Sequence, residues 1–189
     1  MIIRKITQDD DRLAVSHIYE VSWRYAYKHL IPQEYLDSIP KGRWAANIDN
    51  PQINTLIMIE DDMMIGTSSY SEARRSDMDG FGEIISIYLL PEYMGRGYGG
   101  KLLLAAADEL REMGFANIYL WVLEENSRAR HFYEKCGFQN SGIYLADNIG
   151  GKDVREIQYR YHAAPPLERN DAILVDAGQN KYLPFPNQK

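Results

Sequence analysis

A glycine-rich turn between a predicted strand and a predicted helix constrains the fold of this chain more than any other feature. The strand is the apolar run Glu83-Ile-Ile-Ser-Ile-Tyr-Leu-Leu, which Pro91 ends, and the turn is Gly95-Arg-Gly-Tyr-Gly-Gly. The helix that follows carries an apolar stripe formed by Leu102, Leu103, Ala106, Leu110 and Met113. Glycines let a backbone approach a bound anion closely, and the N–H groups at a helix start favour phosphate. The pattern therefore predicts a site for a ligand that carries a pyrophosphate.

Two other interpretations of this turn stay open on the sequence alone. The spacing Gly95-x-Gly97-x-x-Gly100 also matches the dinucleotide-binding pattern, which needs repeated β-α-β units and an acidic residue about 20 residues later. Glu124 or Glu125 would serve as that residue, but the strands predicted before residue 83 follow one another without a helix between them. An NAD(P)-binding oxidoreductase is therefore a lower alternative, and a plain glycine turn without a ligand is the other.

The predicted elements follow the order β-α-α-β-β-β-α-β-α-β-β. Strands are expected near residues 2–7, 54–60, 63–70, 83–90, 116–123, 138–146 and 152–161. Only residues 83–123 form a β-α-β unit, so the predicted fold class is mixed α/β. Residues 1–162 are interpreted as one domain. Residues 163–189 hold four prolines without a clear period, and we expect a non-catalytic extension that packs on the domain or on a second copy.

Composition and charge argue against several classes of protein. With 45% hydrophobic and 25% charged residues, the chain has the balance of a soluble globular protein, and no apolar run approaches the roughly 18 residues of a membrane-spanning helix. The net charge of −6 argues against nucleic-acid binding and favours a cationic partner such as an amine. Cys136 is the single cysteine, and His17 and His29 lack metal-ligand spacing. We therefore predict no disulfide within the chain, no metal site and a cytoplasmic location.

Two stretches of the chain resemble the signatures of the general-control-related N-acetyltransferase (GNAT) superfamily. The first runs from Glu83 to Leu103 through the glycine turn and is similar to the family's acetyl-CoA-binding core. The second runs from Leu120 to Phe138 and contains, in order, an asparagine, Phe-Tyr and Gly-Phe. The resemblance implies a GNAT-like acyl-CoA N-acyltransferase fold over residues 1–162. That fold has a central, mostly antiparallel twisted sheet with one parallel β-α-β unit and flanking helices.

The resemblance also implies an activity, which is acetyl transfer from acetyl-CoA to a primary amine by direct attack in a ternary complex. Glu83 is then expected to act as the general base. Tyr133 is expected to be the acid that protonates the departing thiolate. Asp77 and Asp79 are alternatives that would bind or deprotonate a cationic acceptor. An acyl-CoA-binding sensor, or an inactive relative, is the alternative to an enzyme.

The residues that would bind acetyl-CoA follow from the same resemblance. The end of the central strand would pair with the pantetheine arm, the glycine turn would bind the pyrophosphate, and a helix-capping asparagine would contact the arm. These residues are Ile87, Tyr88, Leu89, Gly95, Arg96, Gly97, Tyr98, Gly99, Gly100, Lys101 and Asn126. Met94 stands where the family carries glutamine or arginine, and methionine donates no hydrogen bond. We expect backbone N–H groups and Arg96 to compensate.

Aromatic residues of the predicted N-terminal helices would form the acceptor side of the cleft. Trp23 and Tyr27, with Tyr25 and Trp44, would enclose an aliphatic amine with cation–π support, although core packing explains any one of them equally simply. Asp79 would bind the positive charge of the acceptor. The acceptor would be a small amine (a polyamine, amino acid or amino sugar) or a protein lysine or N-terminus. We predict no nucleic-acid or membrane partner, and the C-terminal extension suggests a homodimer.

Overall fold

The computed structural model of the protein describes residues 1–162, so the extension predicted at 163–189 and its suggested role in a dimer lie outside the described residues. The elements follow the predicted order, with a short third helix before the second strand. The strands are β1 (Ile2–Lys5), β2 (Asn54–Glu60), β3 (Met63–Glu72), β4 (Gly82–Leu89), β5 (Asn117–Leu123), β6 (Gln139–Ile149) and β7 (Lys152–His162). The helices are α1 (Arg12–Ala26), α2 (Gln33–Ser38), α3 (Ala45–Ile48), α4 (Tyr98–Glu112) and α5 (Ser127–Lys135).

The seven strands form one sheet in the order β1-β2-β3-β4-β5-β7-β6. β4 and β5 are parallel, and the other neighbouring pairs are antiparallel. Helix α4 connects the parallel pair, because parallel neighbours need a crossover rather than a hairpin. The predicted mixed α/β fold, with a mostly antiparallel sheet, one parallel unit and flanking helices, is confirmed.

Helices cover both faces of the sheet. On one face, the stripe predicted on α4 packs into the main core, where Leu102, Leu103 and Leu110 are fully buried. Met113 was expected in the same stripe but is 46% exposed, because α4 ends one residue before it. On the other face, α1 and α2 pack over the sheet around Trp23 and Leu36. Within residues 1–162, every helix is too short or too polar to cross a membrane.

The parallel strands β4 and β5 separate soon after they begin. Their paired residues are Gly82 with Ile118 and Glu83 with Tyr119, and the described residues provide no further pair between them. The remaining length of β4 therefore has a strand partner on one side, β3, and an open edge on the other. Such an edge presents backbone N–H and C=O groups to whatever lies in the gap.

A β-bulge in β4 changes which side chains face the gap. Opposite β3, the partner of Ser69 is Ser86 while the partner of Tyr70 is Ile84, so Ile85 is the extra residue of the bulge. Side chains normally alternate between the faces of a strand. The bulge shifts this alternation by one residue, and as a result Glu83, Ile85, Ser86 and Tyr88 line the same cavity on the α1 side.

Candidate active site

The glycine turn ends β4 and begins α4. Gly95 and Gly97 have φ angles of 77° and 81°, in the left-handed region that favours glycine. A Cβ at either position would meet no atom within 4 Å, so the outer side of the turn is open. The backbone N–H groups of residues 95–100 have no acceptor among the described residues. Because these groups lie at the positive end of α4, the turn fits an anionic group such as a phosphate.

The later glycines of the turn serve packing. A Cβ on Gly99 would lie 3.3 Å from both Leu89 and Phe132. The absence of a side chain at this position therefore lets α4 pack closely against the sheet and against α5.

The side chains of the turn contact neighbouring elements. The hydroxyl of Tyr98 donates a hydrogen bond to Glu60 at 2.8 Å, which holds the side chain of Tyr98 toward β2. The guanidinium of Arg96 lies 5.4 Å from the ring centre of Tyr93.

Arg128 lies beside Met94, at the position where the sequence lacks the family's usual donor. Its Nη2 is 3.1 Å from the Sδ of Met94, and its guanidinium lies 5.1 Å from the ring centre of Tyr25. A thioether is a weak acceptor, and Arg128 forms no ion pair with a described residue. The contact joins the glycine turn to the first turn of α5, so the two signatures of the sequence meet in space. The sequence analysis missed this cation, although its place two residues after the capping Asn126 was visible.

The predicted strand-end and cap residues lie around the open edge of β4. Ile87 packs toward the α4 side and Tyr88 toward α1, and the carbonyl of Leu89 accepts a hydrogen bond from Ser22 at 2.9 Å. The side-chain oxygen of Asn126 accepts the N–H of residue 129 at 3.1 Å and so caps α5. Its amide NH₂ group has no partner in residues 1–162, and it is free to donate.

Tyr133 lies between α5 and the sheet. Its ring is 5.2 Å from that of Phe132 and 6.2 Å from those of Phe138 and Tyr159. Its hydroxyl makes no hydrogen bond to a described residue. Burial raises the pKa of Tyr133 above its ordinary value, and the nearby Tyr27 phenol raises it further. The phenol is therefore neutral at physiological pH and keeps its proton.

A cavity of about 1110 Å³ lies on the α1 side of the sheet, next to the separation of β4 and β5. Aromatic side chains dominate its walls: Tyr19, Trp23, Tyr27, Tyr35, Trp44, Tyr88 and Trp121. Several of them pack on one another, with ring centres 4.7 Å apart for Trp23 and Tyr27 and 4.9 Å apart for Tyr19 and Tyr88. The structure thus brings Trp23, Tyr27 and Trp44 of the four predicted aromatic residues into one cavity, whereas Tyr25 is exposed and lies beside Arg128. The buried indole N–H of Trp23 has no acceptor in the described part of the chain, which leaves a donor for a ligand.

Asp79 lies apart from this cavity. It is exposed at the end of the 3-10 turn Ser76–Met78 and does not line the walls. Asp77, the other acid considered, pairs with Arg75 at 2.8 Å on the surface.

Glu83 lies in the wall of the cavity and is 2% exposed. Arg74 donates three hydrogen bonds to its carboxylate: the backbone N–H at 3.1 Å and Nε at 3.0 Å reach one oxygen, and Nη2 at 2.5 Å reaches the other. This bidentate, charge-assisted pair holds the carboxylate in one orientation. The sequence analysis missed the pair because Arg74 lies between the strands predicted at residues 63–70 and 83–90, whereas β3 extends to Glu72 and so brings the arginine close to β4.

Glu156 on β7 is the carboxyl group of the cavity that the sequence analysis missed. It is half-buried and faces Leu123 on β5 and Leu145 on β6, and it has no hydrogen-bond or ion-pair partner among the described residues. Burial, and to a lesser extent the charge of Asp147, raises the pKa of Glu156 to about 7. The alternation of side chains along β7 could have identified this residue. Ile157 and Tyr159 point into the core, so the side chain of Glu156 must point to the opposite face, where the cavity lies.

The family model described as "Acetyltransferase (GNAT) family" matches residues 13–138. The chain belongs to the GNAT family. The matched range extends from the first turn of α1 to the start of β6 and contains both signatures of the sequence. The predicted resemblance to GNAT enzymes is therefore confirmed.

Curated relatives carry the same kind of name. An uncharacterised N-acetyltransferase, YuaI, of Bacillus subtilis (strain 168) is 29% identical over 120 residues, which cover 62% of this chain and 69% of the relative. A spermidine N(1)-acetyltransferase of Thermoplasma acidophilum is 24% identical over 167 residues, or 83% of this chain and 96% of the relative. The prediction of an N-acetyltransferase enzyme is confirmed at the level of the family.

Solved structures show the same fold. The PaiA N-acetyltransferase of Thermoplasma acidophilum, solved in complex with coenzyme A, has a TM-score of 0.63 and 24% identity, with 85% of this chain and 98% of that chain aligned. The ribosomal-protein-S18-alanine N-acetyltransferase of Escherichia coli has a TM-score of 0.65 and 18% identity, with 91% and 99% aligned. Predictions for individual site residues of this GNAT chain stay predictions.

Proposed function

We propose that this GNAT protein transfers an acetyl group from acetyl-CoA to a primary amine in a ternary complex. The separation of β4 and β5 carries the proposal, because it leaves an edge of β4 unpaired between the glycine turn, which follows this strand, and the aromatic cavity, which the strand also lines. A cofactor that enters from the turn would reach the cavity along this gap. A structural neighbour was solved in complex with coenzyme A and a relative is named for spermidine, an amine, and both names support this choice of substrates.

The cofactor is proposed to lie along the open edge of β4. Its pyrophosphate would accept hydrogen bonds from the free N–H groups of residues 95–100, and the guanidinium of Arg128 would supply the positive charge that Met94 cannot. The backbone at Ile87–Leu89 would pair with the pantetheine arm as an added strand. The free amide group of Asn126 would donate to the same arm.

The acceptor is proposed to be an amine that enters the aromatic cavity. Aromatic faces attract alkylammonium groups, and the cavity volume suits a small molecule or the end of a peptide. Trp23 and Tyr27 would contact the acceptor directly. Asp79 lies on an exposed loop and does not line this cavity. Any contribution of Asp79 to acceptor binding would therefore be electrostatic attraction at long range.

Tyr133 is proposed to protonate the departing thiolate. The phenol is neutral, has no hydrogen-bond partner in the described residues, and lies close enough to Tyr27, which lines the cavity, for the two groups to interact. The base is proposed to be Glu83 or Glu156, the two less exposed of the three carboxyl groups that line the cavity. Removing a proton from the ammonium is required, since an alkylammonium has a pKa near 10 and only the free amine attacks.

Thermal unfolding with acetyl-CoA, coenzyme A or NADH tests the cofactor. A ligand at about 100 times its Kd adds about 2.7 kcal/mol to the free energy of unfolding, which for a domain of this size raises Tm by about 5–10 °C. We expect this shift with acetyl-CoA and not with NADH. A shift with NADH alone would favour the oxidoreductase and contradict the proposal.

Thiol release tests the transfer itself. The protein is incubated with acetyl-CoA and spermidine, lysine, glucosamine or a peptide with a free N-terminal alanine. We expect thiol release with at least one of these amines. Acetyl-CoA binding without turnover on any of them would favour a sensor or an inactive relative.

A further inference from the structure

Three carboxyl groups line the cavity: Asp147 is exposed, and the two less exposed ones, Glu83 and Glu156, differ in how many hydrogen bonds they receive. Glu83 receives three hydrogen bonds from Arg74, and a proton added to it would remove the negative charge that pairs with the guanidinium. Glu156 receives no hydrogen bond from the described residues. Of these two groups, Glu156 can therefore accept a proton without the loss of an ion pair to a described residue.

The surroundings of Glu156 suit a cation. The side chain lies among aromatic walls, and its charge is close enough to the Tyr27 phenol to raise the pKa of that tyrosine. Asp147 on β6 and Glu83 on β4 add negative charge around it, and Arg74 adds the opposing positive charge. An ammonium placed beside Glu156 would gain a charge-assisted hydrogen bond and aromatic contacts together.

We propose that Glu156 binds the ammonium group of the acceptor and takes the proton from it, while Glu83 serves to position Arg74 and the loop that follows β3. The proposal rests on the proposed acetyl transfer. It also defines the acceptor more closely, as an aliphatic amine that is protonated in solution and enters the cavity as a cation. A neutral aromatic amine would make no ion pair with Glu156 and is expected to be a poor acceptor.

The step balances in protons and bonds. One N–H proton of the ammonium passes to the Glu156 carboxylate, and the amine nitrogen attacks the thioester carbonyl carbon. A C–N bond forms, the C–S bond breaks, and the sulfur takes a proton from Tyr133. The nitrogen of the new amide loses its second proton to solvent. Glu156 then releases its proton and Tyr133 regains one from solvent, which restores the enzyme.

The variant Glu156→Gln tests the proposal, with the best amine of the panel as substrate and kcat/KM measured from pH 6 to 10. In the wild type, kcat/KM should rise through pH 7 and then level, as Glu156 loses its proton. In the variant we expect a loss of about 100-fold at pH 7, in line with general base catalysis. The loss should shrink by about tenfold per pH unit and be gone at about pH 9, because the fraction of free amine rises about tenfold per unit below its pKa near 10.

Three further measurements separate this role from a structural one. Glu156→Gln should bind acetyl-CoA with unchanged Kd, and its Tm should not fall, because a buried carboxylate with a raised pKa opposes folding when it is ionised. Asp147→Asn should move the rise in kcat/KM to lower pH, because the Asp147 charge raises the pKa of Glu156. Glu112→Gln, the same change on an exposed side chain at the end of α4, should leave the pH profile unchanged.

Two results would overturn the proposal. One is a Glu156→Gln variant that stays within threefold of the wild type and keeps the rise near pH 7. The other is a folded Glu83→Gln variant that loses this rise while Glu156→Gln keeps it. Failure of the acetyl transfer itself would look different, since the wild type would then release no thiol with any amine.

Discussion

Removing the guanidinium of Arg74 should destabilise the protein far more than removing that of its neighbour Arg75. In the native structure the side chain of Glu83 is 3% exposed. The substitution Arg74→Met removes the charge partner of this buried carboxylate. Breaking a buried ion pair at one partner costs about 3–5 kcal/mol, because the remaining charge is left in a medium of low dielectric constant. The Arg74 side chain is 34% exposed and water reaches that end, so we take the lower limit, about 3 kcal/mol.

The assay is thermal and urea unfolding of the full chain. A loss of about 3 kcal/mol corresponds to a fall in Tm of about 6–12 °C for a chain of this length. Arg75→Met is the matched control, because its partner Asp77 is exposed and such surface pairs are worth about 0–1 kcal/mol. The double variant with Glu83→Gln should recover at least half of the loss, since it removes the stranded charge.

The reasoning is refuted if Arg74→Met unfolds within about 2 °C of Arg75→Met. It is refuted as well if adding Glu83→Gln to Arg74→Met lowers Tm further. Either result would mean that the pair does not hold Glu83 in the native state, and Glu83 would then be as free as Glu156 to accept a proton.

Four other changes test the remaining assignments. Tyr133→Phe should lower kcat about tenfold or more without changing acetyl-CoA binding, as steady-state and binding assays would show. Gly97→Ala should cost about 1–2 kcal/mol in urea unfolding, because its φ of 81° disfavours any side chain. Arg128→Ala should raise KM for acetyl-CoA about tenfold and leave KM for the amine unchanged. Asp10→Asn should lower Tm at pH 7, because the bonds from Arg4 hold the pKa of Asp10 far below its usual range. That stability is present above about pH 4 and is lost as the pH falls, so the variant and the wild type should converge in acid.

Local patterns were enough to predict the elements and their order, and the resemblance to the GNAT family supplied the arrangement of the sheet. The apolar runs of the strands, the apolar stripe of α4 and the glycines of the turn each act over a few residues, and each could be identified in the sequence. The end of a strand was harder to predict where polar residues continue it. The predicted strand ended at residue 70, but Ser71 and Glu72 also belong to β3, because they pair with Glu83 and Gly82 of β4.

The position of Met94 shows how a missing side chain can be compensated from elsewhere. The turn and the first turn of α5 are 34 residues apart in the sequence, and their contact depends on the right-handed crossover through α4 and β5. The sequence identified the missing donor, but it could not show that Arg128 lies next to the gap.

The free carboxyl group was hidden for a related reason. In the sequence, Glu83 stood at the expected place for a base and Glu156 was one of several acids in a charged strand. What distinguishes them is the set of groups each one meets, and those groups come from other parts of the chain: Arg74 follows β3, and Asp147 lies on β6. Residue type and spacing indicate which carboxyl groups could act as a base. Whether such a group already has hydrogen-bond or ion-pair partners depends on residues that are distant in the sequence and close in the fold. In this chain it is therefore the structure, and not the spacing from the glycine turn, that identifies Glu156 as a carboxyl group without a hydrogen-bond partner among the described residues.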